Sequence, residues 1–187
     1  MSNQTQNSKS KGFSLIEMLV VVLIFTIVMG IAVGVFTSAL KLQKYNLAYQ
    51  QLLSQVNYAM EYMDRSIRMA VKDNGTCGFS GQNYRLSDFN RKIEFRNYRG
   101  ECQQFYWDTT INPNQLMSFN SAIYASSLNL TSSDFTITRL NFYVAGDAPN
   151  NQPKVTIVME IEAKTTVLPK PKIKILTTVS QRNLNIS

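Results

Sequence analysis

The chain of 187 residues contains no histidine. That removes the commonest general base, the usual zinc ligand and any Ser-His-Asp arrangement. Only two cysteines, Cys77 and Cys102, are present. They are too few for a Cys₄ metal site and, without histidine, cannot make a Cys₂His₂ one. Charge is missing from one long stretch: from Phe13 to Leu40 the single charged residue is Glu17, and the next is Lys41. No activated nucleophile and no ligand cluster emerge from the rest, so the chain reads as a non-enzyme with no cofactor and no metal.

The uncharged run exceeds the ~20 residues an α-helix needs to cross ~30 Å of hydrocarbon. A secretory signal peptide would have a shorter apolar core with a small-residue cleavage site behind it. No Ala-x-Ala pattern follows Val35. Ahead of the run lies a polar head, Met1 to Gly12, with Lys9, Lys11 and no acid. It has no apolar face to fold with. Glu17 is the costly residue, because a carboxylate at mid-bilayer is unfavourable by ~2.5–3.5 kcal/mol and usually has a partner. Two readings follow: it reaches headgroups at the near interface, or it pairs with a cation on another chain.

The stretch Lys11-Gly12-Phe13-Ser14-Leu15-Ile16-Glu17-Met18-Leu19-Val20 resembles the N-terminus of type IV prepilins and type II secretion pseudopilins. The resemblance implies a membrane peptidase that cuts between Gly12 and Phe13 and methylates Phe13. It also implies that Glu17 pairs with the Phe13 ammonium of a neighbouring subunit and so fixes axial register. Lys9 and Lys11 before the run are balanced by Lys41 and Lys44 after it, so local charge does not orient the helix. The resemblance does: N-terminus cytoplasmic, a single pass through the inner membrane, and the remainder outside.

On this reading the chain divides into a leader (1–12), a transmembrane helix segment (13–40), an amphipathic continuation (41–74) and an extracytoplasmic β-rich domain (75–187). Gly30 and Gly34 form a GxxxG spacing that permits close helix approach and weakens the helix locally. Beyond Lys41, apolar residues recur at Leu42, Tyr45, Tyr49, Leu52, Val56, Met60, Met63, Ile67 and Val71. Steps of three or four predict one helix with a single dry side, to about Lys72, capped by Asn74 or Gly75. Outside the cytoplasm, Cys77 and Cys102 would form a disulfide closing a loop of about 26 residues, contributing very roughly 3 kcal/mol. Two inert buried thiols are the alternative.

Gly75 to Gly100 reads as irregular. Its glycines suit turns better than a phosphate cradle, since no P-loop lysine follows. Short strands are expected at Ile93–Phe95 and Gln103–Trp107, with a strand or short helix within Leu116–Ala125. Phe135 to Val144 is rich in β-formers, and its apolar phase shifts past Ile137, predicting a bulge near Arg139. After a loop from Gly146 to Pro153, Val155, Ile157, Met159, Ile161 and Ala163 alternate with polar residues as a half-buried strand. A third strand follows, with Lys170, Lys172 and Lys174 on one face, read as guards of a sheet edge rather than a polyanion contact. Asp147, Asn150 and Asn151 fit turn propensity better than calcium ligation.

The expected fold is therefore α+β and pilin-like: a long N-terminal helix, transmembrane then amphipathic, packed on an antiparallel sheet built largely from residues 135–181. The resemblance implies a structural subunit, most similar to minor pilins or minor pseudopilins, of a type IV pilus or type II secretion pseudopilus. Its partners would be prepilin peptidase, other pilin subunits, the inner-membrane assembly platform and lipid. The net charge of +7 and a region where Arg85, Arg91, Arg96 and Arg99 accompany Tyr84, Phe89 and Tyr98 allow a second function, DNA binding in natural competence. Acids Asp88, Glu94 and Glu101 interleave with those arginines and favour an ordinary mixed surface. A membrane-anchored enzyme or solute-binding module is the third reading.

Overall fold

A computed structural model describes residues 12–110, 113–122, 127–148, 151–166 and 168–182. The chain divides between Gln43 and Lys44 into two units, and each is described by itself. One helix, α1 (Leu15–Arg68), runs through the division without a break. In the first unit it is uncovered on all sides, from Leu15 at 80 % exposed to Phe36 at 64 %. It passes unbroken through Gly30 and Gly34. The helix is long and apolar enough to cross a membrane, and in water its bare apolar surface would be unfavourable at every turn.

The second unit sets the rest of α1 against two antiparallel sheets. The first sheet comprises β1 (Tyr84–Ser87), β2 (Lys92–Arg96), β3 (Cys102–Asp108), β4 (Gln115–Asn120) and β5 (Leu128–Asn129), in chain order. The second comprises β6 (Phe135–Ala145), β7 (Lys154–Ala163) and β8 (Lys172–Ser180), also in order. The expected sheet over 135–181 is thus present with three strands, and the first sheet, of five shorter strands, accompanies it. The first sheet was only partly anticipated, because β1 is four residues of mixed polarity that alternation does not mark. Gln115–Asn120 is a strand, which settles the choice left open there; residues 123–125 of that stretch lie outside the described residues.

Both sheets and the helix share one core. Leu52, Val56, Ala59, Met63 and Ile67 of α1 are fully buried. They pack in one cluster with Ile93, Phe95 and Phe105 of the first sheet and Ile137, Phe142 and Ile157 of the second. Each such side chain contributes about 1.5–3 kcal/mol on full burial. The buried stripe starts at Leu52, ten residues after the expected one, and Leu42 stays 61 % exposed. It passes through Ala59 in preference to Met60, which is only partly covered.

The bulge falls where the phase shift predicted it. Pairing of β6 with β7 slips between Ile137 and Arg139, leaving Thr138 as the extra residue, its hydroxyl donating to the Glu160 carbonyl at 3.3 Å. The slip lets Phe135 and Ile137 share the buried face with Leu140 and Phe142. Backbone bonds from Phe142 to the Asn90 carbonyl (2.7 Å) and from Ile137 to the Asn114 carbonyl (2.9 Å) then tie β6 to the first sheet.

The helix ends sooner than expected, and no left-handed residue caps it. The Ile67 carbonyl accepts the Tyr84 hydroxyl at 2.7 Å, and the Arg68 carbonyl accepts the Arg182 amide at 2.8 Å. The Ala70 carbonyl accepts Nε2 of Gln181 at 2.6 Å. Carbonyls that a helix terminus leaves open are therefore satisfied by residues distant in sequence. Val71 is drawn into a bridge with Arg96. Gly75 does take positive φ, but it serves the loop beyond.

Candidate functional site

At the N-terminus, Gly12, Phe13 and Ser14 precede the first helical turn. The Ser14 carbonyl accepts the Glu17 amide at 3.0 Å and the Met18 amide at 3.2 Å, which makes Ser14 the N-cap and Glu17 the third helical residue. Ser-x-x-Glu at this spacing is a capping-box pattern, and a carboxylate there also complements the positive end of the helix dipole. The pattern is legible in the sequence, but neither side chain makes a capping hydrogen bond among the described residues. Gly12 and Phe13 stand exposed outside the helix. Farther along, the Gly34 carbonyl accepts the hydroxyls of Thr37 (2.9 Å) and Ser38 (3.0 Å), an arrangement that mildly destabilises a helix.

Cys77 and Cys102 are bonded to each other, with Cα atoms 5.5 Å apart across a sequence separation of 25. The bond joins the loop after α1 to the first residue of β3. Asp73 organises that loop from inside: it is 2 % exposed, and its carboxylate accepts the amides of Cys77 (3.1 Å) and Phe79 (3.1 Å). Burial alone pushes the Asp73 carboxyl up. The amides of Cys77, Phe79 and Gly75, with the Arg96 guanidinium, outweigh it and hold the group below the usual aspartate range. A depressed carboxylate contributes its stability above the unfolded pKa near 4 and loses it as pH falls through the lower folded value. Asp73→Asn should therefore lower the melting temperature at pH 7 by roughly 3–6 °C. The gap from the parent should hold constant down to about pH 5 and close in stronger acid. Melting curves across that pH range check it; a gap that widens in acid contradicts it.

The arginine-rich segment is mixed in charge. Arg85 and Lys92 both bind Glu94, whose side chain is 6 % exposed, and Arg91 binds Asp88 at 3.0 Å. Burial raises the Glu94 carboxyl, and the hydrogen bonds and charges of Lys92 and Arg85 more than reverse that. Lys172 and Lys174 lie on β8, the outer strand of the second sheet, whereas Lys170, expected beside them, precedes the strand. Lys172 pairs with Glu160 at 2.7 Å and Lys170 with Glu162 at 3.4 Å. Asp147 accepts both the backbone amide and Nδ2 of Asn83, so its oxygens are engaged in linking loops. Asn151 donates its amide to the Ala148 carbonyl in a turn, while Asn150 lies outside the described residues. Among the described residues no three His, Cys, Asp or Glu side chains converge on a metal position.

One constellation escaped the sequence reading. Between the outer half of α1 and the β2–β3 hairpin lies a cleft of about 430 Å³, lined by Tyr58, Tyr62, Tyr98, Arg99, Glu101 and Asn120 among others. The hairpin closes through the Asn97 amide on the Glu101 carbonyl at 2.9 Å, and Gly100 supplies the left-handed residue its three-residue loop requires. Oδ1 of Asn97 accepts the amides of Arg99 (2.9 Å) and Glu101 (3.0 Å). Its Nδ2 group donates to Oε2 of Glu101 at 2.9 Å, and Asn120 donates to the same oxygen at 3.0 Å. These two amides hold the Glu101 carboxyl below the usual glutamate range.

Residues 7–33 match the model of the prokaryotic N-terminal methylation motif. No curated protein and no solved structure matches the chain. The motif marks a structural subunit of the kind that prepilin peptidase processes and that assembles with other pilin subunits, and the apolar helix fits an inner-membrane anchor. The matched motif, joined to a long apolar helix and antiparallel sheets, supports the resemblance to type IV pilins and pseudopilins.

Proposed function

We propose that the chain is a minor pilin or minor pseudopilin that initiates or tips a type IV pilus or a type II secretion pseudopilus. Cleavage between Gly12 and Phe13 frees an amino terminus one residue ahead of the Ser14 cap, and Phe13 is methylated there. Residues 13–40 then hold the subunit in the inner membrane, N-terminus inward, until it passes into the fibre. Gly30 and Gly34 let neighbouring helices approach closely in that fibre.

The observation that carries this reading is the register of Gly12, Phe13 and Glu17 with an unbroken apolar helix. The minor-subunit assignment draws support from the disulfide, which joins the loop after α1 to β3 and leaves the C-terminal strands unlinked. Against DNA binding stands the pairing of Arg85, Arg91 and Lys92 with carboxylates, which neutralises part of that segment's charge and so weakens its hold on phosphates.

Intact-mass and peptide analysis of the protein from cells with a working prepilin peptidase tests the proposal. The expected N-terminal peptide begins with N-methyl-Phe13. Recovery of only the form beginning at Met1 refutes it.

A further inference from the structure

The cleft beside the β2–β3 hairpin combines exposed aromatic side chains with buried amides. Tyr58 and Tyr98 are 60 % and 57 % exposed, so much of two large aromatic side chains is left in water. Beneath them, Asn97, Gln103 and Asn120 are about nineteen-twentieths buried. They are polar groups committed to an interior position, and they are held there by directed bonds. Oδ1 of Asn120 accepts the Ala122 amide at 3.0 Å, which together with the bonds to Asn97 fixes the orientation of both asparagine amides. Gln103 donates toward the Tyr62 hydroxyl at 3.5 Å, and Tyr62 is braced edge-on by Phe105.

Both donors to Glu101 meet at Oε2. Oε1 takes no hydrogen bond from the described residues, and a carboxylate oxygen has lone pairs for hydroxyl donors. The cations of the cleft are already engaged. Arg65 pairs with Glu61 at 2.8 Å, and Arg99 bonds the Tyr98 hydroxyl at 2.8 Å and stacks on its ring. The formal charges of Arg65, Arg99, Glu61 and Glu101 cancel, so no net field selects for phosphate or carboxylate. What remains is a preformed cleft of ligand size with aromatic faces, fixed amides and one open anionic acceptor.

That combination suits a molecule with apolar C–H faces and many hydroxyls but no charge. We propose that this cleft binds a neutral saccharide of one or two sugar rings. The rings stack on Tyr58 and Tyr98, and hydroxyl groups donate to Oε1 of Glu101. Every lining residue belongs to the unit that begins at Lys44.

The test uses the full chain in phosphocholine micelles, which carry no sugar, with lactose, maltose and N,N′-diacetylchitobiose as probes in saturation-transfer NMR. At least one disaccharide should show transfer to its ring protons with a millimolar Kd. Tyr98→Ala and Glu101→Gln should each weaken it roughly tenfold. Tyr58→Ala touches an exposed side chain, so it should weaken binding without moving the melting temperature. The proposal is overturned if none of the three probes binds, or if binding survives both tyrosine substitutions. Tighter binding of a sulfated disaccharide than of the neutral ones also overturns it. N-terminal processing is read separately by mass, so either result can fail without the other.

Discussion

Glu17→Val is expected to leave the protein folded and membrane-inserted while cutting its recovery in sheared fibres roughly tenfold or more. Removing a carboxylate from an apolar run makes insertion easier, by up to about 2.5–3.5 kcal/mol at the bilayer centre. Among the described residues the Glu17 side chain has no ion pair or hydrogen-bond partner, so its charge is available to another molecule. The partner that the resemblance implies is the Phe13 ammonium of an adjacent subunit. A second role must be separated from that one, because Glu17 also stands three residues after Ser14, the spacing of a capping-box pattern. Glu17→Gln keeps a residue suited to the box and removes the charge. If pairing is what matters, Gln behaves like Val; if capping matters, Gln restores incorporation. Immunoblots of membrane and fibre fractions decide it, and normal incorporation of the Val variant ends the pairing account.

Phe105→Ala should cost about 3–5 kcal/mol, the usual range for emptying a buried phenyl site. Phe105 is fully buried on β3, the middle strand of the five-stranded sheet. Its ring meets Phe95 at 5.6 Å between centroids and Tyr62 of α1 edge-on at 5.8 Å. Loss of the ring thus leaves a void where helix and sheet meet, and also removes aromatic contacts worth about 0.5–1.5 kcal/mol per pair. For a chain of this size the melting temperature should fall by roughly 8–15 °C. Phe105→Leu, which refills most of the volume, should recover more than half of it. Near-UV circular dichroism of the intact chain measures both. A drop below roughly 3 °C for the Ala variant would mean the helix and sheet are not held together there.

Where residues act through their neighbours in the chain, expectation and structure agree closely. The alternation from Val155 to Ala163 is buried at every odd position, because side chains on a strand point to opposite faces in turn. The phase change after Ile137 located the bulge for the same reason. Two cysteines with no competing ligand paired with each other. The five-residue step from Gly12 to Glu17, set against a helix without other charges, carried the family.

Other features depended on which distant segment arrives at a given place. Tyr84, Gln181 and Arg182 decide where α1 ends, since they reach its open carbonyls before Asn74 or Gly75 can. The extent of the sheets decides that the buried stripe begins at Leu52, although Leu42, Tyr45 and Tyr49 continue the same spacing. The cleft is assembled from residues of α1, the β2–β3 hairpin and the end of β4, and each of them alone resembles an ordinary surface residue. The long apolar run and the processing motif were thus legible in the sequence alone, because hydrocarbon and a peptidase would each act on one short segment of chain. The end of the helix and the cleft were decided only by tertiary structure, because burial and shape are properties of segments brought together.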